Sequence, residues 1–185
     1  YVLGLFRELW RELGGTFTGT VRDGTASADA RLIGSVESPP LAQVVRDMNK
    51  FSNNVMARQL YLTLGAEAAG EPATREKADR VIREWLAGKR LNFPEMVLEN
   101  GSGLSRVERI SARHLGELLL SSFRSPVMPE FIASLPLAAV DGTMKKRLLG
   151  EPVAGHAHMK TGLLSDVRAM AGYVLDRKGQ RKVVV

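Results

Sequence analysis

Apolar positions first recur at helical spacing in Leu3, Phe6, Trp10 and Leu13, and Gly14-Gly15 follow as a stop signal. Loose alternation from Thr16 to Val21, a turn at Asp23-Gly24 and a run from Arg31 to Val36 predict two short strands. Pro39-Pro40 open a second helix with the stripe Leu41, Val44, Val45 and Met48, which breaks at Phe51-Ser52-Asn53-Asn54. A third helix starts there, with Met56, Leu60 and Leu64 on one face and Gly65 as its end. Pro72 and Thr74 introduce the clearest helix. Ala78, Val81, Ile82, Trp85 and Leu86 share its apolar face, and Arg75, Glu76, Arg80 and Glu84 lie opposite.

Further along, Met96 to Leu98 reads as a short strand running into the glycine-rich loop Glu99-Asn100-Gly101-Ser102-Gly103. Ser111 caps a helix carrying Leu115, Leu118 and Leu119. Asp141-Gly142-Thr143 is a turn into a short basic helix that ends at Gly150. The last stretch is β: Ala157, Met159 and Thr161 alternate with His156, His158 and Lys160. A second strand from Val167 to Leu175 is apolar on both faces and so central. Asp176 to Gly179 turns into the strand Val183-Val184-Val185. Helices clustered between β segments predict an α+β fold with an antiparallel sheet.

Composition narrows the function classes. The 185 residues are 44% hydrophobic and 25% charged, which suits one domain or a large part of one. The run of apolar residues that a membrane helix needs, roughly 18, is missing, so nothing here is predicted to span a bilayer. With no cysteine, disulfide scaffolds and thiolate chemistry are excluded. The net charge of +6 suits an acidic polymer such as cell-wall material. The basic residues are scattered without an aromatic ladder, so no nucleic-acid partner is predicted. The start at Tyr1 and the valine run at the end predict a piece of a longer protein.

Three short elements could carry chemistry: Ser52-Asn53-Asn54 between two helices, the loop Glu99–Arg106, and Lys160-Thr161-Gly162 on a strand. Each is weak alone, because Ser-x-Asn at a helix start commonly does no more than cap it. In this order, Ser-x-Asn and Lys-Thr-Gly are two of the three elements of penicillin-interacting serine enzymes. An ionised Lys160 can steer a serine proton and attract a carboxylate. Ser52 can relay a proton, and the Asn54 amide can donate and accept together on a peptide group. Gly162 leaves room for an extended peptide at the strand edge, and the Leu163 backbone N–H can serve an oxyanion.

On these residues the chain resembles D-alanyl-D-alanine carboxypeptidase/endopeptidases of the penicillin-binding protein 4 type (peptidase family S13). Ser38-Pro39-Pro40-Leu41, Met48 to Asn54, Glu99 to Arg106, Asp141-Gly142-Thr143 and His158 to Gly162 carry the resemblance, from about Phe6 to the end. It implies a penicillin-binding, serine β-lactamase-like transpeptidase fold, here a fragment over residues 1–185 without the upstream nucleophile segment and inserted domains. It also implies a periplasmic, metal-independent enzyme that cleaves peptidoglycan stem peptides through an acyl-enzyme trapped by β-lactams. Ser52, Asn54 and Lys160 are then the candidate catalytic residues, and Thr161, Gly162 and Leu163 the candidate substrate-binding ones.

Two departures stand out. No serine is followed by lysine three positions on, so the nucleophile motif is expected upstream and the chain alone is expected to be inactive. Leu163 replaces the hydroxyl residue that often follows Lys-Thr-Gly, which keeps the backbone contact and removes a side-chain hydrogen bond.

Rival chemistry is poorly supported. His156 and His158 at i,i+2, with His114 distant, make a poor zinc site, so neither metal nor cofactor is predicted. The glycine-rich loop lacks the Gly-Lys-Ser/Thr ending of a phosphate cradle and reads as structural, and Asp141 with Arg147 as a structural pair. The alternatives to a peptidase are a noncatalytic cell-wall-binding module and a β-lactamase or esterase on the same scaffold. A partial fold also predicts exposed apolar surface and, with it, homodimer formation or aggregation.

Overall fold

The structure, a computed structural model, describes residues 2–185 and divides into two compact units, Tyr1–Glu37 and Ser38–Val185. In the first unit the predicted helix forms as α1 (Val2–Glu12), and Gly14 follows in the left-handed conformation that favours glycine. Phe6 stacks on Trp10 at 5.9 Å and meets Phe17 edge-on, while the Trp10 indole N–H donates to Thr16 O at 3.0 Å. The strands expected over Thr16–Val21 and Arg31–Val36 do not form. A strand needs a ladder for its backbone groups and cover for its apolar face. Neither stretch is paired, and Ile33 and Val36 are fully solvent-exposed.

The second unit holds helices α2 (Leu41–Phe51), α3 (Asn54–Ala69), α4 (Arg75–Gly88), α5 (Ala112–Phe123) and α6 (Met128–Ser134). A 3-10 turn follows at Gly142–Met144, then strands β1 (Ala157–Leu163), β2 (Arg168–Leu175) and β3 (Arg181–Val184). The architecture is α+β, with a three-stranded antiparallel sheet in the order β1-β2-β3. The expected central strand is therefore central, although Arg168 to Met170 are exposed and only its second half is buried.

Several boundaries differ from expectation for packing reasons. α3 does not stop at Gly65 but runs through it to Ala69. Gly65 is a packing position, because a Cβ there would lie 2.8 Å from the Ala78 backbone nitrogen of α4. Its neighbour on the buried face is Tyr61, one position off the Met56–Leu60–Leu64 stripe. Trp85 is half exposed at the rim of α4, with the Lys89 ammonium 5.8 Å from its ring. The expected strand Met96–Leu98 is a single bridge between Val97 and Arg109. The expected basic helix is no more than the 3-10 turn. Helix α6 has no counterpart in the sequence reading.

The core is built in three clusters. Ala138, Met144, Ala157 and Met159 pack on one face of β1. Leu119, Leu135 and Tyr173 pack where α5 and α6 meet β2, and the Tyr173 hydroxyl donates to Leu119 O at 2.6 Å. Leu86, Phe93 and Met96 tie α4 to the segment that follows it. The first cluster packs on β1 itself and the second on its neighbour β2, and β1 carries Lys160.

Candidate active site

Two helices abut with only Ser52 and Asn53 between them. Ser52 ends α2 in the left-handed region, at φ 55° and ψ 47°, which costs a non-glycine residue about 1 kcal/mol. The Asn53 side chain, not that of Ser52, caps α3: its Oδ1 accepts from Val55 N and Met56 N, both at 3.1 Å. The Ser52 hydroxyl is thus left over from the cap. It accepts from Lys160 Nζ at 2.8 Å, across 108 residues of sequence. Asn54 is half-buried at the first position of α3.

Lys160 is half-buried on β1 and also donates to Thr161 O at 2.8 Å. Desolvation lowers its pKa below the ordinary lysine value. Thr161 Oγ1 lies 3.4 Å from Thr143 Oγ1.

The edge of β1 is divided. Met159 N–H donates to Pro136 O at 2.8 Å and Ala157 O accepts from Ala138 N–H at 2.9 Å, both on the side away from β2. His156 O accepts from Leu175 N–H on the β2 side. Backbone groups of a strand alternate in direction, so those of Thr161 and Leu163 also point away from β2. There the segment 136–138 has already ended, and Leu163 is 65% exposed. Gly162 pairs with Ala169, and a Cβ on it would meet nothing nearer than the Ala169 Cβ at 3.8 Å. Among the described residues nothing requires a glycine at that position.

Beneath the site lies a charged pair the sequence reading did not find. Lys50, only 6% exposed, donates to Leu135 O at 2.7 Å and to the two carboxylate oxygens of Asp141 at 2.8 and 2.7 Å. Asp141 therefore pairs with Lys50, not with Arg147 as expected, because α2 delivers the ammonium into the buried side of the turn. Asp141 Oδ1 accepts from Leu137 N–H as well, at 2.8 Å. Burial pushes the Asp141 pKa up, but the hydrogen bonds from Lys50 and Leu137 and the Lys50 charge outweigh it and hold the pKa low. A cavity of about 320 Å³ opens beside the pair, between Arg46, Phe51 and Gly142.

The glycine-rich loop is held from inside. One oxygen of Glu108 accepts from Glu99 N, Asn100 N and Gly101 N at 2.8–3.2 Å, filling the backbone nest that a phosphate would need. A Cβ on Gly101 would lie 2.5 Å from Tyr61 Cβ, so the loop packs directly on α3. Arg106 reaches from it to Asp166 and to Ser165 Oγ in the turn after β1. His114 Nδ1 bonds the Glu95 carboxylate at 2.7 and 2.8 Å. Burial holds the pKa of His158 below its ordinary value, and its Nδ1 has no partner among the described residues. No group of three potential metal ligands occurs among the described residues.

A sequence profile of the D-Ala-D-Ala carboxypeptidase 3 (S13) family matches residues 1–185. The chain belongs to that family. Among S13 relatives, a D-alanyl-D-alanine carboxypeptidase of Actinomadura sp. is 33% identical over 184 residues, 95% of this chain and 34% of that protein. Carboxypeptidase DacB of Mycolicibacterium smegmatis is 33% identical over 154 residues, 80% of this chain and 33% of that protein. The chain thus spans about a third of the length of these S13 proteins. A crystal structure of penicillin binding protein 4 (dacB) from Haemophilus influenzae, complexed with a β-lactam, superposes with a TM-score of 0.83 at 25% identity. That match covers 99% of this chain and 43% of the other. The α+β fold is therefore part of the penicillin-binding fold of the S13 family.

The structure brings Ser52, Lys160 and Thr161 of the predicted set together and leaves Gly162 and Leu163 at an open strand edge. The sequence reading missed Lys50 and Thr143 as neighbours of the site. A lysine at the end of a half-buried helix, two positions before Ser52, was the available signal for the first. In the S13 chain, among the described residues, no helix is long and apolar enough to cross a membrane.

Proposed function

We propose that this chain is the C-terminal part of the penicillin-binding domain of a periplasmic serine D-Ala-D-Ala carboxypeptidase/endopeptidase. The whole protein acts on peptidoglycan stem peptides through an acyl-enzyme and is inhibited by β-lactams. The observation that carries this reading is the 2.8 Å contact between Lys160 Nζ and Ser52 Oγ beside the outer edge of Thr161–Leu163, which the segment 136–138 leaves uncovered.

The roles follow from direction and charge. Lys160 donates to Ser52 Oγ, which turns the Ser52 O–H outward as a donor. As the nucleophilic serine bonds to the scissile carbonyl carbon, its proton passes through Ser52 to the amine nitrogen of the departing D-Ala, and the C–N bond breaks. The Lys160 charge and the Thr161 hydroxyl face the terminal carboxylate of the peptide. Asn54 holds a backbone amide, and Leu163 N–H stabilises the oxyanion. Water then hydrolyses the ester by the reverse proton path. The nucleophile is the serine of a Ser-x-x-Lys motif outside this chain, so the 185 residues alone do not acylate.

The test is D-Ala release by the full-length protein from a stem pentapeptide ending in D-Ala-D-Ala. Ser52→Ala and Lys160→Ala should each lower kcat by about 10²-fold or more. A parent that binds cell-wall polymer but releases no D-Ala would favour the noncatalytic module instead. Exposed Phe51, Val55 and Leu149 support self-association of the isolated chain, and sedimentation as a clean monomer would contradict it.

A further inference from the structure

The strongest unassigned feature is the Lys50–Asp141 pair, a buried ammonium on a part-exposed carboxylate, which joins three segments that meet at the site. Lys50 lies two residues before Ser52 on the last turn of α2, and its ammonium reaches Leu135 O and both oxygens of Asp141. The segment that begins at Leu135 is the one that pairs with the outer edge of β1, through Pro136 O and Met159 N–H and the Leu137–His158 bridge. Asp141 in turn holds that segment by Leu137 N–H and opens the 3-10 turn bearing Thr143, whose hydroxyl meets Thr161. Gly142 seals the arrangement, because a Cβ on it would lie 2.5 Å from the Lys50 carbonyl oxygen. A second tie, Asn49 Nδ2 to the fully buried Ser134 Oγ at 2.8 Å, runs parallel to the first.

We propose that Lys50 and Asp141 are positioning residues, an ion pair that sets the distance between Ser52 and Lys160 and holds Ser52 in its left-handed conformation. Neither hydrogen-bonds to Thr161–Leu163, and neither touches the peptide in the reaction above. The pair fixes α2 against β1 through the segment between them, and so brings the Ser52 hydroxyl to the Lys160 ammonium. The claim rests on the proposed function for its kinetic consequence alone; its structural consequence can be read without activity.

Lys50→Met removes the ammonium and strands Asp141. The double variant Lys50→Met/Asp141→Leu removes both charges, so that neither is left without its partner. Two readouts separate positioning from stability. The first is the titration of Lys160, followed by NMR of ¹³Cε-labelled lysine in the 185-residue chain. With Ser52 displaced, the Lys160 ammonium gains solvent, and its midpoint should move up toward the ordinary lysine value in both variants. The second is acylation of the full-length protein by a fluorescent penicillin. It should slow by tenfold or more in both variants, with the alkaline limb of its pH profile displaced upward, even where the double variant melts near the wild type. If acylation and the Lys160 titration return to wild type together with stability in the double variant, the pair is structural and the proposal fails. It also fails if Lys50→Met folds and leaves both readouts within twofold of wild type. A wild-type parent that does not acylate overturns the peptidase reading and leaves the Lys160 titration to decide the positioning claim.

Discussion

Gly142→Ala should be among the most damaging single-methyl additions near the site. Gly142 sits at φ +55°, where a Cβ costs about 1 kcal/mol. The added Cβ would also fall 2.5 Å from Lys50 O and 3.2 Å from Lys50 C and Cα, all backbone atoms at the end of α2. Carbon and oxygen normally stay about 3.3 Å apart or more, so the turn and the helix must separate by about 0.8 Å. Overpacking of that kind costs about 1–3 kcal/mol, and the separation stretches the Lys50–Asp141 contacts as well. The sum is about 3 kcal/mol, which for a chain of this size lowers Tm by roughly 6–12 °C. Gly162→Ala is the control: it has no positive φ, and its Cβ would meet only the Ala169 Cβ, at 3.8 Å. It should lose no stability and could gain up to about 1 kcal/mol from a less flexible unfolded chain. Urea and thermal unfolding of the two variants side by side would measure both. A Gly142→Ala protein within about 0.5 kcal/mol of wild type, or a Gly162→Ala protein equally destabilised, would refute the packing argument.

Three further outcomes follow from individual contacts. Tyr173→Phe leaves the buried Leu119 carbonyl without its 2.6 Å hydrogen bond and should cost about 1–3 kcal/mol in urea unfolding with an unchanged m-value. Met144→Ala opens a hole in a fully buried position between the 3-10 turn and β1, and should cost about 2–5 kcal/mol by the same assay. Glu95 has its pKa held at about 2, first by the Ser111 hydroxyl and backbone N–H and then by His114. A lowered carboxylate pKa gives stability that is present above the unfolded value near 4.5 and is lost as pH falls toward 2. Glu95→Gln should therefore flatten the decline of Tm between about pH 5 and pH 2, and an unchanged acid slope would contradict the assignment.

The legible parts of this fold were those whose signals are local. Thr74 and Ser111 announced α4 and α5 because an N-cap and an apolar stripe lie within a few residues of each other. The β1–β2 pair showed itself in the alternation of Ala157, Met159 and Thr161 and in the apolar run that follows. The failures came where a distant partner decides the outcome. Arg31–Val36 has strand-like composition and no strand beside it. Gly65 looked like a stop, but α4 packs against it and needs the space. Short α6, with Pro129 in its first turn, has too few residues for a periodic pattern.

The site divides in the same way. Ser52-x-Asn54 and Lys160-Thr161-Gly162 were readable as motifs, and their meeting at 2.8 Å is what the fold adds. Asp141 offered no clue that its cation would be Lys50, 91 residues away, when Arg147 lay six positions on. That choice is made by the docking of α2, which the local pattern of charges does not encode. Thr143 was visible only as part of a turn, and its contact with Thr161 depends on the same docking.

The measurement that bears most directly on the central claim is fluorescent-penicillin labelling of this chain beside the full-length protein. The account predicts a labelled parent, weakened by Lys160→Ala, and no label on the 185 residues alone. A covalent label on the isolated chain, or none on the parent, would contradict it.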